Sequence, residues 1–299
     1  MTSNSTTQSD PWTILRLLQW TTEHLKKNGS TTPRLDAEVL LAHARGCERI
    51  ALYTAFAEEP PESVKAVFRD IVKRRAQGEP VAYLVGKKEF YSLSFQVSKD
   101  CLIPRGETEH LVIECLDRAK EIHAADPTKH LSIVDVCTGS GCIAISVAKH
   151  LANCSITAID LSPAAVAIAN NNVQMHKLTD RIQVSVGDLL SSIPDESLDF
   201  VLSNPPYISE PEFDKLEKTV REHEPRMALV SGANGTEIIE RLAEQAASKL
   251  VGNGWFICEF SPMIADAVES HLTASNQWKD ITVLKDLARL KRLVSAKRR

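Results

Sequence analysis

Apolar positions recur at helical spacing through the first part of the chain. Trp12, Leu15, Leu18 and Leu25 mark one stripe, and Leu35, Val39, Leu40 and Leu41 mark a second that Pro33 can open as a first-turn residue. Pro60-Pro61 interrupts the pattern, and Val64, Val67, Phe68, Ile71 and Val72 then predict a further helix running to Gly78. Residues 1–78 therefore read as a small helical domain. The period then shortens to two: Val81, Tyr83 and Val85 alternate, Gly86-Lys87-Lys88 offers a turn, and Leu93, Phe95 and Val97 alternate again. This predicts a β-hairpin connector within residues 79–104. Pro104 precedes a helix whose first turn carries Glu107 and Glu109, where negative charge suits the helix dipole.

From Leu131 onward short apolar runs alternate with alanine-rich amphipathic stretches. The strand candidates are Ile133–Val136, Ile156–Asp160, Gln183–Val186, Leu198–Ser203, Trp255–Phe260, Ile281–Leu284 and, more weakly, Arg292–Val294, with helices such as 163–176 and 235–251 between them. Such alternation predicts an α/β fold over residues 105–299, a doubly wound and mostly parallel sheet.

Composition narrows the class. Hydrophobic residues at 43% and charged residues at 25% are ordinary for a soluble globular protein. No apolar run reaches the roughly 18 residues of a membrane-spanning helix, and Met1–Asp10 has neither the basic start nor the apolar core of a secretion signal, so the cytoplasm is expected. A net charge of −4 disfavours broad nucleic-acid binding; the basic residues Lys291, Arg292, Lys297, Arg298 and Arg299 read as a solvated end. Seven cysteines without a C-x-x-C pair, and nine histidines without ligand spacing, predict neither disulfides nor a metal.

Candidate chemistry begins after the first strand of the α/β region. Ile133–Val136 runs into Cys137-Thr138-Gly139-Ser140-Gly141, followed by the apolar segment 142–150. Glycines there let the backbone turn sharply and approach a ligand. The next strand ends at Asp160, 21 positions after Gly139, where a carboxylate can accept hydrogen bonds from two ribose hydroxyls. The same segment also satisfies G-x-G-x-x-A, so taken alone it fits a nicotinamide enzyme and a methyltransferase equally. Asp188 follows the third strand directly and can accept from the amine of adenine, with Leu189 against the ring; an Asp here can equally cap a helix.

The fourth strand ends in Asn204-Pro205-Pro206-Tyr207. An amide nitrogen is a poor nucleophile because its lone pair is delocalised. The Asn204 side-chain oxygen and the Pro205 carbonyl can each accept one N–H of a target amide or amine, orienting its nitrogen for methyl transfer from a sulfonium. Two prolines hold these acceptors rigid, and Tyr207 offers an aromatic wall. No strong base is needed, since the proton can leave to water after the methyl group has moved.

At this point the sequence resembles the glutamine N5-methyltransferases of release factors and of a ribosomal protein, over nearly the whole chain. Arg34-Leu35-Asp36-Ala37-Glu38 with Leu40-Leu41 is similar to the family's helical domain, and Glu89-Phe90-Tyr91 with Phe95 and Val97 to its hairpin. Leu102-Ile103-Pro104-Arg105, Glu107-Thr108-Glu109, Thr138–Ala144, Asn204–Ile208, Glu224-Pro225 and Ala228-Leu229 match further family segments. The Asn-Pro-Pro-Tyr loop is also shared with DNA adenine and RNA guanine methyltransferases; its combination with Ile-Pro-Arg-x-Glu-Thr-Glu is more specific. The resemblance implies a Rossmann-like methyltransferase domain in which Cys137, Thr138, Gly139, Ser140, Gly141, Asp160, Leu189 and Asn204 contact S-adenosylmethionine. It implies that Asn204, Pro205, Pro206 and Tyr207 hold the substrate glutamine, that of a Gly-Gly-Gln loop in a peptide-chain release factor. Residues 1–78 carry no glycine loop and no acidic strand end, so they are expected to recognise the protein substrate, the alternative being that they only cover apolar surface of the catalytic domain. A ribosomal protein is the alternative acceptor, and a nucleic-acid amino group the more distant one. The chain departs from the family at Gly106, where proline is usual, at Arg289, where glycine is usual, and at Cys258-Glu259-Phe260, where a different strand end is preferred.

Overall fold

A computed structural model describes residues 11–299; the polar segment Met1–Asp10 lies outside the described residues. The chain forms two units, divided between Val85 and Gly86.

The first unit is helical: α1 (Ile14–Lys27), α2 (Pro33–Arg45), α3 (Arg49–Tyr53), α4 (Glu62–Ala76) and α5 (Val81–Val85). Pro33 does open α2, and Gly46 closes it in the left-handed conformation. The stripe on α1 differs from the expected one. Trp12 precedes the Thr13 cap and Leu15 is largely exposed, while Ile14, Leu17, Leu18, Thr21 and Leu25 are buried. A buried threonine inside the stripe concealed its true phase. In α2, Asp36 and Glu38 are buried as well. Asp36 accepts from Ser30 Oγ (2.8 Å), Thr32 Oγ1 (2.9 Å) and Arg75 Nε (2.8 Å), fastening the start of α2 to the end of α4. Glu38 accepts from Arg34 Nε and Tyr53 Oη, each at 2.7 Å. The family-like Arg34–Glu38 segment is thus a structural staple of this unit.

The hairpin is where the sequence reading needs correction. Val81–Val85 is α5, not a strand, because Leu84 completes an i, i+3, i+4 set with Val81 and Val85 that packs on the helical core, and the Pro80 carbonyl accepts the first helical N–H groups. The hairpin pairs β1 (Lys87–Phe90) with β2 (Leu93–Gln96), and its turn is Tyr91-Ser92 rather than 86–88. Both turn residues have positive φ, 49° and 58°, the conformation of a type I′ turn, without the usual Asn or Gly. The Tyr91 amide donates to Glu109 Oε1 at 2.9 Å, so a tertiary contact steadies what local sequence does not favour.

The second unit contains the expected doubly wound sheet. After a 3-10 turn (Gly106–Thr108) come α6 (Glu109–Ala125), β3 (Leu131–Val136), α7 (Cys142–His150), β4 (Cys154–Asp160), α8 (Pro163–Met175), β5 (Ile182–Val186) and β6 (Leu198–Ser203). Then follow β7 (Ile208–Ser209), α9 (Glu210–Phe213), α10 (Lys218–His223), β8 (Val230–Gly232), α11 (Glu237–Lys249), β9 (Leu250–Glu259), α12 (Ala265–Ala274), β10 (Trp278–Lys285) and β11 (Lys291–Arg298). The main sheet has seven strands in the order β10-β11-β9-β6-β3-β4-β5; β9, β6, β3, β4 and β5 are mutually parallel and the final hairpin is antiparallel. Alternate strand residues feed two cores. Ile133, Phe200, Leu202, Trp255 and Ile257 face α6, α7 and the hairpin phenylalanines Phe90 and Phe95, while Val134, Val136, Val201 and Phe256 face α11 and α12. The order reverses between β3 and β6, which opens a crevice at their carboxyl ends.

Two departures from the family have a geometric meaning. Arg289 stands in the left-handed region (φ 63°) of the β10–β11 turn, where the Asp286 amide donates to Leu290 O and the Leu290 amide donates back to the Asp286 side chain across a three-residue loop that ordinarily takes glycine. Arg289→Gly should raise stability by about 1 kcal/mol through relief of that conformation, measured by urea unfolding. A variant less stable than the parent would show that the Arg289 side chain makes up the strain. Gly106 stands at the first position of its 3-10 turn after an extended Arg105, so proline would fit there and this chain forgoes it.

Candidate active site

The crevice between β3 and β6 is a cleft lined from both sides of the switch point. Cys137, Thr138, Gly139, Ser140, Asp160, Asp188, Leu189, Asn204 and Pro206 all reach it, joined by Leu102, Pro104, Arg105, Thr108, Pro225 and Ala228. The parallel register Val136↔Ser203 sets the glycine loop beside Asn204, and Ser203 Oγ locks the two strand ends by donating to Val136 O at 2.7 Å.

The glycine loop is held from below and behind. Cys137, Gly139 and Gly141 have φ of 60°, 54° and 79°, and the non-glycine Cys137 in this region marks strain maintained by its surroundings. A Cβ on Gly141 would press on Ala169 of α8 at 3.4 Å. Asp135, buried at the end of β3, accepts from Thr138 Oγ1 (2.6 Å) and the Ala144 amide (3.2 Å) with one oxygen, while its Oδ1 has no partner. Burial pushes its carboxyl up to about 7. The Thr138 side chain therefore braces the loop, while Ser140 Oγ is turned inward and buried. Asn172 of α8, fully buried, donates to Ser140 O (2.8 Å) and exchanges two hydrogen bonds with the Gln96 backbone, tying the loop to the hairpin. This residue had no signal in the sequence, since an Asn inside an alanine-rich helix resembles a surface position.

Asp160 holds Gly139 N with Oδ2 and Ser162 N with Oδ1, both at 2.9 Å. Each oxygen keeps a further lone pair for a ligand hydroxyl. Burial raises its carboxyl above the usual range, partly offset by the Ser162 and Gly139 amides. Asp188 lies at the cleft's edge, where its Oδ2 accepts from Arg241 Nη2 at 2.9 Å; the pair is half exposed and orients the carboxylate more than it stabilises the fold. Leu189, buried with φ 50°, adds an apolar face.

On the Asn204 side the loop's geometry is set by residues that sequence reasoning left without a chemical part. Asn204 Nδ2 donates to Thr108 Oγ1 at 3.0 Å, which leaves Asn204 Oδ1 as an acceptor. Pro206 lines the cleft, Pro205 is buried, and half-buried Tyr207 packs on the core of that face. Tyr207 Oη donates to Glu259 Oε1 at 3.4 Å, and burial pushes its phenol up, so it stays a donor. Gly235 backs the loop closely: a Cβ there would stand 2.7 Å from Tyr207 O, and its φ of 86° also demands glycine. The Ile103–Arg105 segment is anchored by buried Glu224, which accepts from Arg105 Nη2 at 2.6 Å. Thus residues from 102–108, 137–140, 204–206 and 225–228, far apart in the chain, converge on one cleft, while Gly141, Pro205 and Tyr207 support it from behind.

The amino-terminal part of the chain, residues 16–86, matches the PrmC N-terminal domain, and residues 110–223 match the methyltransferase small domain. The chain is 48% identical over 295 residues to a release factor glutamine methyltransferase of Rhodopirellula baltica, covering 98% of each, and 33% identical over 277 residues to that of Bacillus subtilis, covering 92% and 94%. Among solved structures, the human Mettl16 catalytic domain bound to a MAT2A 3′UTR hairpin aligns with TM-score 0.54 at 18% identity, over 77% of this chain and 82% of that one, a likeness of fold alone. With sequence identity extending over both units, the chain belongs to the release factor glutamine methyltransferase family.

Proposed function

We propose that this protein is an S-adenosylmethionine-dependent methyltransferase that methylates the side-chain amide nitrogen of the Gly-Gly-Gln glutamine of peptide-chain release factors. The observation that carries the reading is the Asn204 amide, oriented by Thr108 so that its oxygen is left to accept, at the edge of the cleft that the glycine loop lines. The cleft suits the donor: Asp160 and Asp188 keep acceptor capacity for ribose hydroxyls and the adenine amine, and Leu189 supplies an apolar wall. Bound S-adenosylmethionine supplies an electrophilic methyl group. Asn204 Oδ1 and the Pro205 carbonyl each accept an N–H of the glutamine amide, drawing the nitrogen toward a pyramidal geometry and orienting its lone pair. Tyr207 stays protonated, its hydroxyl held by Glu259, and packs as a neutral ring. The work of such an enzyme lies in the cytoplasm; among the described residues no helix is long and apolar enough to cross a membrane.

None of the described residues of the helical unit lines this cleft. In our reading it grips the release factor. Its own surface supports that role: a groove between α1 and α4 is floored by Leu17, Phe68 and Val72, with exposed Trp20 beside it and Lys65, Arg69 and Lys73 along it. Binding energy gathered there would orient the glutamine amide for reaction. The test is labelling of a purified release factor with radioactive S-adenosylmethionine. One methyl group per factor is expected on the Gly-Gly-Gln glutamine, and none after a Gln→Asn change in the factor. A chain beginning near Pro80 should bind the donor but label the intact factor poorly. Preferential labelling of a ribosomal protein or nucleic acid would refute the acceptor, and a truncated, folded enzyme of full activity would refute the recognition role.

A further inference from the structure

The buried carboxylate of Glu259 is poorly explained as a structural group. It is 3% exposed, its Oε2 has no partner, and its bond from Tyr207 Oη is long at 3.4 Å. A buried carboxyl so weakly satisfied costs stability that an apolar side chain would not. Its place is specific, however. Ser203 pairs with Cys258 across β6 and β9, so Asn204, just past β6, stands beside Glu259, the last residue of β9 and still paired with Leu293 of β11. The Thr108 hydroxyl, which accepts from the Asn204 amide, lies near enough to the Glu259 carboxylate to favour its ionised form, without a formed hydrogen bond between the two.

We infer that Glu259 is a positioning residue: its carboxylate takes the Thr108 hydroxyl hydrogen, so that Thr108 Oγ1 accepts from Asn204 Nδ2 and the Asn204 oxygen stays turned outward for the substrate amide. The inference rests on the role of Asn204 proposed above. A threonine hydroxyl has one hydrogen to give. With ionised Glu259 as acceptor, that hydrogen is committed and Thr108 can only accept from Asn204. Without such an acceptor, the hydroxyl hydrogen is free to seek the Asn204 oxygen, which flips the amide and removes the acceptor the reaction needs. Tyr207, held by the same carboxylate, is fixed at the same time.

The device is pH-sensitive in a stated direction. Burial pushes the Glu259 carboxyl up to about 7, exposed Glu107 pushes the same way, and Thr108, Arg292 and Tyr207 oppose; the Arg292 guanidinium is itself engaged with Asp286 at 3.0 Å. Turnover should therefore rise with pH through about 7 as the group ionises, then level off.

The experiment uses the full chain and a release factor, with kcat measured against pH, donor affinity by calorimetry and melting temperature by scanning calorimetry. For Glu259→Gln, which does not titrate, the acidic limb near 7 should vanish. For Glu259→Leu, kcat should fall about 10-fold or more, the scale of a misplaced reacting group, with donor affinity within about threefold and no loss of melting temperature. Should Glu259→Leu not fold, Thr108→Val must lose turnover by a similar factor and Thr108→Ser must recover it. An unchanged acidic limb in Glu259→Gln, or kcat within about twofold of the parent in Glu259→Leu or Thr108→Val, overturns the inference. Failure of the parent enzyme to methylate the release factor would instead overturn the proposed function, so the two failures are distinguishable.

Discussion

Asn204→Ala is expected to lower kcat by about 10²-fold or more, the scale for removing one preorganised group whose interaction strengthens in the transition state. Alanine deletes both ends of the amide. The lost oxygen is the acceptor proposed for the target N–H, and the lost Nδ2 frees Thr108, which then has no amide hydrogen to accept. Donor binding should weaken only modestly, because the glycine loop, Asp160 and Leu189 line the cleft independently of this side chain. The effect should thus appear in kcat far more than in the donor Kd, read by single-turnover labelling alongside calorimetry. Near-normal turnover in a folded Asn204→Ala enzyme would exclude the residue from the chemistry.

Asp160→Ala should weaken S-adenosylmethionine binding by roughly 1.5–3 kcal/mol, about 10- to 150-fold, the scale for hydrogen bonds to a charged group. Two losses coincide there. The ligand hydroxyls lose their acceptor, and the Gly139 and Ser162 amides lose theirs, which loosens the loop at its first glycine. Because burial raises the Asp160 carboxyl, donor affinity of the parent should also decline as pH falls through that raised range, whereas Asp160→Ala should lose that dependence. Calorimetry across pH checks both points. Tight NADH binding without binding of S-adenosylmethionine would reverse the cofactor assignment.

Much of this protein is legible one-dimensionally because strands and their turns are local. The segment Leu198–Ser203, bounded by Asn204-Pro205, emerges as β6 residue for residue, and Cys142–His150 likewise as α7. The alternation of strand and helix requires a parallel sheet, and the glycine loop after its first strand, with acids after the second and third, requires that they share one edge. Five-residue patterns were less decisive. Val81–Val85 satisfies period two and a single helical turn equally well, and only the core under Leu84 selects the helix. The Tyr91-Ser92 turn has no local signature, since Glu109 from another element holds it.

The site divides along the same line. Asn204, Asp160 and the glycine loop are readable because their chemistry is stated by residue type and position after a strand. Thr108, Asn172, Glu224 and Glu259 are not, because each acts on a backbone or side chain many positions away. Glu259 illustrates the difference most sharply. In the sequence it is an acid within a β-strand's end, indistinguishable from one facing solvent; in the fold, the β6–β9 register sets it beside Asn204 and buries it with one oxygen unpartnered. Sequence by itself determined the fold class and singled out Asn204 as the proposed acceptor for the substrate amide, both consequences of local period and residue chemistry. Which groups surround Asn204 was decided only by the tertiary structure, because hydrogen-bond partners and burial depend on distances that chain separation does not encode.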